Sequence, residues 1–290
     1  GQAKRFEQSG STTIILWPSQ SRLITDSQIQ EYSEKGAILL KKAFDHDWLS
    51  ILGEGIEKNK KDPGPYACQY TPENNEGDFY DDYCNWYRFD EYKDFVFNSP
   101  AAEIAGRLTQ SYEIRIFHEH ILVKEPKTSE PTPWHHDQPY YCVDGEQVCS
   151  IWLPLDPVPK ESGLEFVAGS HLLRKMFMPI KFLTLSEYEY SPGSFESIPD
   201  IDSNRDKYEI LSWDMEPGDC IVFHFKTLHS GKGNPDRSIR RRAFSSRWIG
   251  DDAVFAARPG ETSPPFPALK SFKQDDPLDH PLFPICWEAK

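Results

Sequence analysis

Five short runs of β-branched and aromatic residues limit the fold of this chain more than any other feature. They read IRIFHEHILVK, QVCSIWLPL, GLEFVAG, CIVFHF and RRAFSSRWI, and turn residues separate them. Runs of this length and composition, bounded by Pro, Gly and Asp, are typical of strands in an all-β domain. We therefore predict a β core over about residues 113–250, with helices packed outside it.

The sequence before that core predicts helices. Thr25 and Gln28 match a capping box, the segment DSQIQEYSEK carries apolar residues at helical spacing, and Gly36 suits a C-terminal cap. The next four residues, AILL, predict a strand. Two further helices are expected over 46–58 and 100–110, the second with a proline at its first position.

The organisation along the chain predicts a single domain over residues 1–290. Its helical and loop part covers about 1–112, and the β core covers about 113–250. The irregular, proline-rich arm from about 251 to 290 is expected to wrap the core or to meet a second subunit in a homodimer. A chain of this length can bury one full core without a linker or an internal repeat.

Charge and hydropathy limit the partners of the chain. Its formal net charge of −14 repels the phosphates of nucleic acids and of anionic lipids, so neither is an expected partner. No apolar run approaches the roughly 18 residues of a membrane span. The first residues, GQAKRFEQSG, lack the apolar core of a signal peptide, and the six cysteines include no CxxC pair. We expect a cytoplasmic protein with reduced thiols.

The segment PTPWHHDQPYY at 131–141 carries the first candidate metal ligands. On an extended chain, residues two apart project to the same side, so His135 and Asp137 can converge while His136 points away. A His-x-Asp triplet alone is weak evidence, because most such triplets are unrelated polar residues. It needs a third ligand elsewhere in the chain.

The segment PGDCIVFHFKTLHSGKGNPDRSIRRR at 217–242 offers that third ligand in either His224 or His229. Two imidazoles and one carboxylate form the facial set typical of Fe(II) oxygenases, which leaves positions open for a bidentate keto acid and O₂. The arginines that follow add a second signal. A planar guanidinium suits the far carboxylate of 2-oxoglutarate, so one of Arg240, Arg241 or Arg242 should turn inward.

The motifs WHHDQPYY, GLEFVAGSH and PGDxxxFHxxxxHxxxxN followed by arginines occur in this order. Together they resemble the phytanoyl-CoA dioxygenase family of Fe(II)/2-oxoglutarate-dependent oxygenases, over about residues 25–250. The resemblance implies a double-stranded β-helix, a jelly-roll core of the cupin type. It assigns the metal to His135, Asp137 and His229, and leaves His224 as a core histidine. The family's 2-oxoglutarate arginine, eleven residues after the distal histidine, falls on Arg240, although a bulge would shift that register by one.

Two further positions match the family's keto-acid pocket more loosely. Trp152 resembles an aromatic residue that packs near 2-oxoglutarate, and His120 resembles a position that contacts it. Each has a simpler alternative role. Trp152 would be an ordinary core residue, and His120 would form a hydrogen bond to a neighbouring strand. Lys124, on the same strand face as His120, is a weaker candidate because lysines at strand ends usually reach solvent.

The resemblance also implies an activity and its cofactors. Fe(II), 2-oxoglutarate and O₂ would hydroxylate an unactivated C–H bond of a small-molecule metabolite, with release of succinate and CO₂. Desaturation, epoxidation or ring formation on the same site is the alternative outcome. The competing classes are a metal-dependent hydrolase on a cupin-like barrel, which would not need the arginine, and a sensor, whose site would be expected to lose a triad member or the arginine.

The stretch at 65–95 is dense in aromatic and acidic side chains. Aromatic faces beside carboxylates suit an amine or quaternary ammonium substrate through cation–π contact. The alternative is that these side chains only pack a helix and a loop onto the barrel.

Overall fold

The computed structural model describes residues 23–70, 77–126, 131–181, 186–187, 195–233 and 239–290. The helices are α1 Asp26–Lys35, α2 His46–Lys61, α3 Asp90–Asn98 and α4 Ala101–Thr109. The strands are β1 Ala37–Leu40, β2 Cys68–Tyr70, β3 Phe79–Tyr83, β4 Glu113–Lys124, β5 Thr132–His135, β6 Val143–Asp144, β7 Val148–Pro154, β8 Leu164–Val167, β9 Ile180–Lys181, β10 Ser186–Glu187, β11 Ile210–Leu211, β12 Cys220–His224, β13 His229–Gly231, β14 Arg241–Ile249, β15 Val254–Phe255 and β16 Ile285–Glu288.

The predicted elements are confirmed along most of the described chain. The Thr25 hydroxyl accepts from the Gln28 backbone and the Gln28 side chain accepts from the Thr25 backbone, which completes the capping box of α1. Gly36 ends α1 in the left-handed conformation, with φ 74°. The five predicted β-rich runs correspond to β4, β7, β8, β12 and β14. Pro100 stands just before α4 instead of inside it, and α3 was not predicted.

Two antiparallel sheets build the core. The larger has eight strands in the order β1-β12-β7-β14-β4-β3-β2, with β16 also paired to β4. The smaller has four strands in the order β11-β8-β13-β5. Trp152 and Phe223 of the larger sheet share one buried cluster with Phe166 of the smaller sheet, so the two sheets face each other. This is the predicted jelly-roll arrangement of a double-stranded β-helix.

The helices cover the outer face of the larger sheet. Leu52 and Ile56 of α2, Phe95 of α3 and Ile104 of α4 belong to one buried cluster with Phe244 of β14. The Phe95 and Phe244 rings lie 5.1 Å apart between centroids in an edge-on arrangement. Because side chains alternate along a strand, this contact fixes the faces of β14. Even-numbered residues near Phe244 point to the helices, and odd-numbered residues point between the sheets.

The C-terminal arm packs on the barrel. Its strand β15 pairs with β6 and its strand β16 pairs with β4. Leu269, Leu278 and Phe283 of the arm are buried with Phe117 of β4. The arm therefore wraps the core, which was one of the two expectations for it, whereas its part in a homodimer stays a prediction. Within the described ranges, no helix is both long and apolar enough to cross a membrane.

Candidate metal centre

His135 and His229 are brought together by the pairing of β5 with β13. The two residues are directly opposite in the antiparallel register, and their ring centroids lie 4.2 Å apart. His135 Nδ1 lies 2.8 Å from the Pro133 carbonyl oxygen, and His229 Nδ1 lies 2.9 Å from the Thr227 carbonyl oxygen. In the neutral form of either ring these contacts favour the tautomer with its proton on Nδ1, in which Nε2 keeps a lone pair for a metal.

Asp137 completes the group from the turn that follows β5. Its backbone N–H donates to the Phe225 carbonyl at 2.9 Å, which holds the turn against the end of β12. Its Oδ1 lies 3.3 Å from His135 Nε2 and 3.6 Å from His229 Nε2. The ligand atoms of the three buried residues all lie within 4.8 Å of one another. Across the described residues, no other group of three or more His, Cys, Asp or Glu side chains is arranged to hold a metal ion.

The protonation states of Asp137 and His229 are those that metal binding requires. Burial raises the pKa of Asp137, but the neighbouring His229 and His135 rings outweigh it and hold that pKa well below its usual range. Burial, with help from His135, lowers the pKa of His229 to about 4. At neutral pH the group therefore presents a carboxylate and a neutral imidazole. A metal ion would displace few protons on binding.

The two neighbouring histidines are engaged elsewhere. His136 Nδ1 lies 3.1 Å from the Lys226 carbonyl oxygen, and its Nε2 accepts from the Phe177 backbone N–H at 2.9 Å. His224 Nδ1 accepts from the Lys226 backbone N–H at 2.9 Å, while its Nε2 lies 3.1 Å from Glu146 Oε2. Neither ring belongs to the candidate metal group, so His229 is the third member.

The structure contradicts the inward assignment of Arg240. This side chain lies on the helix-facing side of the sheet, where it pairs with Glu57 of α2 at 3.0 Å and with Glu125 at 3.2 Å. Arg242 lies on the same side and binds Asp156 at 2.9 Å. The physical reason is the register of β14, because even-numbered residues share the face of Phe244, which packs on the helices.

Arg241 is the arginine of the three that points between the sheets. It is buried, and it donates to the Ser162 carbonyl at 2.6 Å and to the Ser162 hydroxyl at 2.8 Å. Its Nε has no hydrogen-bond partner among the described residues. Burial lowers its pKa from the ordinary value, although Asp156 opposes that effect. The inner face of β14 therefore carries Arg241 instead of Arg240, which is the one-residue shift that the sequence left open.

Trp152 and His120 lie on the inner face of the larger sheet. They flank Ser245 in the cross-strand register of β7, β14 and β4. Trp152 belongs to the buried cluster between the sheets. His120 Nε2 lies 2.7 Å from Asp81 Oδ2 on β3. His120 therefore makes the hydrogen bond to a neighbouring strand that was the alternative to a contact with 2-oxoglutarate. Lys124 stands opposite Arg241. The contact of these side chains with 2-oxoglutarate stays a prediction.

The described part of the aromatic and acidic stretch mostly packs on the barrel. Residues 71–76 of this stretch lie outside the described residues. Tyr80, Trp86 and Tyr92 are buried in the cluster under the helices. Asp82 accepts from the Asn59 amide and from the Gly64 backbone N–H, both at 2.8 Å. Since Asp82 serves the fold and Asp81 is paired with His120, the packing alternative fits better than a cation site.

Sequence reasoning missed three polar residues, two on the same inner face and one, Ser162, in the turn before β8. Ser162 holds Arg241, as described above, and His118 and Arg247 lie nearer the candidate metal group. Arg247 follows Arg241 by six residues on one strand, an even spacing that places both on the same face. That spacing was a usable signal once the strand was predicted.

A family model described as Phytanoyl-CoA dioxygenase (PhyH) matches residues 25–243, which is three quarters of the chain. The chain belongs to the phytanoyl-CoA dioxygenase family. The predicted resemblance is confirmed, and with it the broader class of non-haem iron, 2-oxoglutarate-dependent oxygenases that contains this family.

Individual relatives of this PhyH chain are distant. It is 25% identical over 144 residues to a probable phytanoyl-CoA dioxygenase of Caenorhabditis elegans, a match that covers 47% of this chain and 42% of that protein. The chain thus spans less than half the length of that curated relative.

Solved structures share the fold at low identity. The non-haem α-ketoglutarate-dependent carbocyclase SnoK from nogalamycin biosynthesis matches with a TM-score of 0.69 at 20% identity, covering 90% of this chain and 96% of SnoK. EctD from S. alaskensis with 2-oxoglutarate and 5-hydroxyectoine matches with a TM-score of 0.66 at 18% identity, covering 90% of this chain and 88% of EctD. At these identities the likeness establishes the fold alone.

Proposed function

We propose that this PhyH protein is an Fe(II)- and 2-oxoglutarate-dependent dioxygenase that hydroxylates an unactivated C–H bond of a small-molecule metabolite. One observation carries the proposal. A buried group of two imidazoles and one carboxylate, with ligand atoms within 4.8 Å of one another, shares the space between the sheets with the buried Arg241. Structural relatives with 2-oxoglutarate, such as EctD, add support.

The donor set fits a divalent iron ion. His135 Nε2, His229 Nε2 and one oxygen of Asp137 would hold it, because both Nδ1 atoms are already committed to backbone carbonyls. Nitrogen and carboxylate donors without thiolates suit iron better than a closed structural zinc site. With three protein ligands, the ion keeps positions open for the keto acid and for O₂. When bound, iron and 2-oxoglutarate supply the oxidising power, and 2-oxoglutarate leaves as succinate and CO₂.

Arg241 is the residue we assign to the far carboxylate of 2-oxoglutarate. Ser162 fixes its guanidinium through two hydrogen bonds, which orient the planar group and reduce the side-chain entropy lost on binding. The unpartnered Nε is a donor left for a ligand. Trp152, which is opposite Ser245 on the same face, would supply an apolar wall for the bound keto acid. In a buried pocket such a charge-assisted bond is strong, because little water competes for the carboxylate.

Aromatic rings shield the candidate metal group from water. The Phe166 ring stacks on His229 at 5.7 Å between centroids, and the Phe223 ring lies 4.7 Å from the same histidine. Both phenylalanines are buried between the sheets. They hold the imidazole in place and keep a dry surface at the reacting centre. Exclusion of water protects reactive chemistry from side reactions.

The competing activities make different demands on these residues. Desaturation, epoxidation or ring formation would use the same ligands and the same arginine, so only product analysis separates them from hydroxylation. A hydrolase would use the metal as a Lewis acid and has no need of a buried Arg241. The predicted cytoplasmic location, the absence of nucleic-acid and membrane partners, and a homodimer through the arm belong to the proposal as expectations.

The deciding experiment is anaerobic addition of Fe(II) and 2-oxoglutarate to the apoprotein, followed by visible absorption spectroscopy. We expect a weak charge-transfer band in the wild type and its loss in Asp137→Ala. Arg241→Met should weaken it at subsaturating 2-oxoglutarate, while the matched control Arg240→Met should retain it. A wild type that binds iron but shows neither the band nor any affinity for 2-oxoglutarate would refute the proposal in favour of a hydrolase or a sensor.

A further inference from the structure

Three polar residues stand side by side across the inner face of the larger sheet. In the antiparallel register Arg247 of β14 is directly opposite His118 of β4 on one side and Ser150 of β7 on the other. All three are buried. His118 Nδ1, Arg247 Nε and Ser150 Oγ each lack a hydrogen-bond partner within the described residues. We call these three residues the Arg247 row.

The Arg247 row lies beside the candidate metal group. On the next strand, β12, Phe223 stands opposite Ser150, and its ring lies 4.7 Å from the His229 ring. The positive charge of Arg247 is close enough to help His229 and His135 lower the pKa of Asp137. It also lies beside the Tyr141 phenol, whose pKa burial raises well above its usual value. The row therefore faces the space where a substrate would meet the metal.

Arg247, like Arg241 and unlike the neighbouring Arg240 and Arg242, has no fixed partner of opposite charge in the described part of the chain. Arg240 pairs with Glu57 and Arg242 pairs with Asp156, whereas no carboxylate within the described chain lies within 4.0 Å of the Arg247 guanidinium. Its Nη1 donates to the Ser245 carbonyl at 3.1 Å. Burial of an unpaired charge costs folding free energy. A negatively charged ligand bound beside Arg247 would offset that cost.

2-Oxoglutarate at Arg241 is too short to be that partner. Arg247 follows Arg241 by six positions along β14, which places their Cα atoms about 20 Å apart at a rise of roughly 3.3 Å per residue. Ser245 and Trp152 stand between them on the same face. A five-carbon diacid bound at one arginine therefore leaves the other for a second ligand.

We propose that the Arg247 row is the substrate subsite for an anionic group, and that the substrate is a small molecule carrying a single carboxylate. This inference rests on the proposed function and names the substrate class of that same site. The Arg247 fork matches a carboxylate, and the Ser150 hydroxyl is a further donor. His118 also donates if its proton sits on Nδ1. A phosphate ester fits less well, because the row offers one cation and the nearby Asp137 repels a second negative charge.

The first test is the thermal stability of the apoprotein. Arg247→Met removes an unpaired buried charge and fills its space with an apolar chain, so the melting temperature should rise by a few degrees. The matched control Arg242→Met loses its partner Asp156, and its melting temperature should fall. A fall in Arg247→Met as well would overturn the proposal, because it would make Arg247 a structural residue that supports Asp137.

The second test is calorimetric titration of the Mn(II)- and 2-oxoglutarate-loaded protein with aliphatic and aromatic monocarboxylates, their primary amides and matching phosphate monoesters. We expect carboxylates to bind at least tenfold more tightly than their amides. Arg247→Met should abolish this preference, and Arg247→Lys should keep part of it. Equal binding of amides, tighter binding of phosphate esters, or no binding by any carboxylate of the series would each overturn the proposal.

The affinity for 2-oxoglutarate separates this proposal from the proposed function. Arg247→Met should bind 2-oxoglutarate within twofold of the wild type, because that ligand lies at Arg241. A tenfold loss in Arg247→Met would place 2-oxoglutarate at Arg247 and refute the subsite. A wild type that binds no 2-oxoglutarate would instead refute the proposed function. The stability test would still decide whether Arg247 is an unpaired buried charge or a structural residue.

Discussion

His135 and His229 face each other across the β5–β13 pair, with ring centroids 4.2 Å apart. Strand pairing thus places two potential ligands that are far apart in sequence, and each ring is anchored by its Nδ1 to a carbonyl two residues before it. A preformed group of this kind binds a metal with little reorganisation, since the orienting hydrogen bonds already exist.

Replacement of Asp137 by Asn should abolish tight metal binding. The substitution keeps the size of the side chain but removes the negative charge of the group, so Fe(II) or Mn(II) affinity should fall by at least ~100-fold, more than loss of an outer-shell partner costs. His136→Gln is the matched control, because the His136 ring is bonded to Phe177 and Lys226. Calorimetric metal titration measures both, and similar affinities in the two variants would contradict the assignment.

Arg241→Met should weaken 2-oxoglutarate binding ~10- to 100-fold, the factor that corresponds to one charge-assisted hydrogen bond of ~1.5–3 kcal/mol. Arg240→Met should leave the affinity unchanged, since its side chain pairs with Glu57 outside the barrel. Titration of the metal-loaded protein with 2-oxoglutarate gives both dissociation constants. The opposite ranking would restore Arg240 as the binding residue.

Stability should decline with pH through the titration of Glu119. Burial raises the pKa of this carboxyl from 4.5 to about 8, although the backbone N–H groups of Trp86 and Asn85 favour its charged form. A raised pKa in an acid means that the fold prefers the neutral form. The contribution of Glu119 to the free energy of unfolding, up to a few kcal/mol, is therefore complete below about pH 4.5. It is lost as the pH rises to about 8.

Glu119→Gln should remove that pH dependence. The amide keeps an oxygen that accepts from Asn85 and Trp86 but carries no charge. Melting curves between pH 5 and pH 9 should show the variant above the wild type at pH 8 and close to it at pH 5. If the melting temperatures of the wild type and of Glu119→Gln differ by the same amount at every pH, Glu119 does not titrate in this range.

Gly106→Ala should destabilise the protein by ~1–3 kcal/mol through overpacking. A Cβ at Gly106 of α4 would lie 2.1 Å from the Trp287 ring of β16, so the C-terminal strand would have to move. Gly53→Ala in α2 is the matched control, because its nearest contact is an ordinary 3.6 Å to Arg242, and it should stabilise by up to ~1 kcal/mol. Denaturant unfolding gives the free energy of unfolding of both variants. Equal changes in the two would argue against tight packing of the C-terminal strand on α4.

Local patterns in the sequence predicted the elements and two members of the candidate metal group, His135 and Asp137. The capping box at Thr25 and the β-rich runs predicted helices and strands that depend on contacts within a few residues. The spacing of His135 and Asp137 placed both on one side of the chain, and the order of motifs indicated the family. These features depend on neighbouring residues, so the sequence by itself carries them.

Only the tertiary structure decided which arginines face inward and which polar residues meet. A register shift of one residue at the start of β14 exchanges the two faces of the strand, so Arg241 replaces Arg240 at the inner face. The Arg247 row depends in the same way on the register between three strands. Cross-strand register is set by the packing of the whole barrel against its helices, so no local pattern along the chain records it.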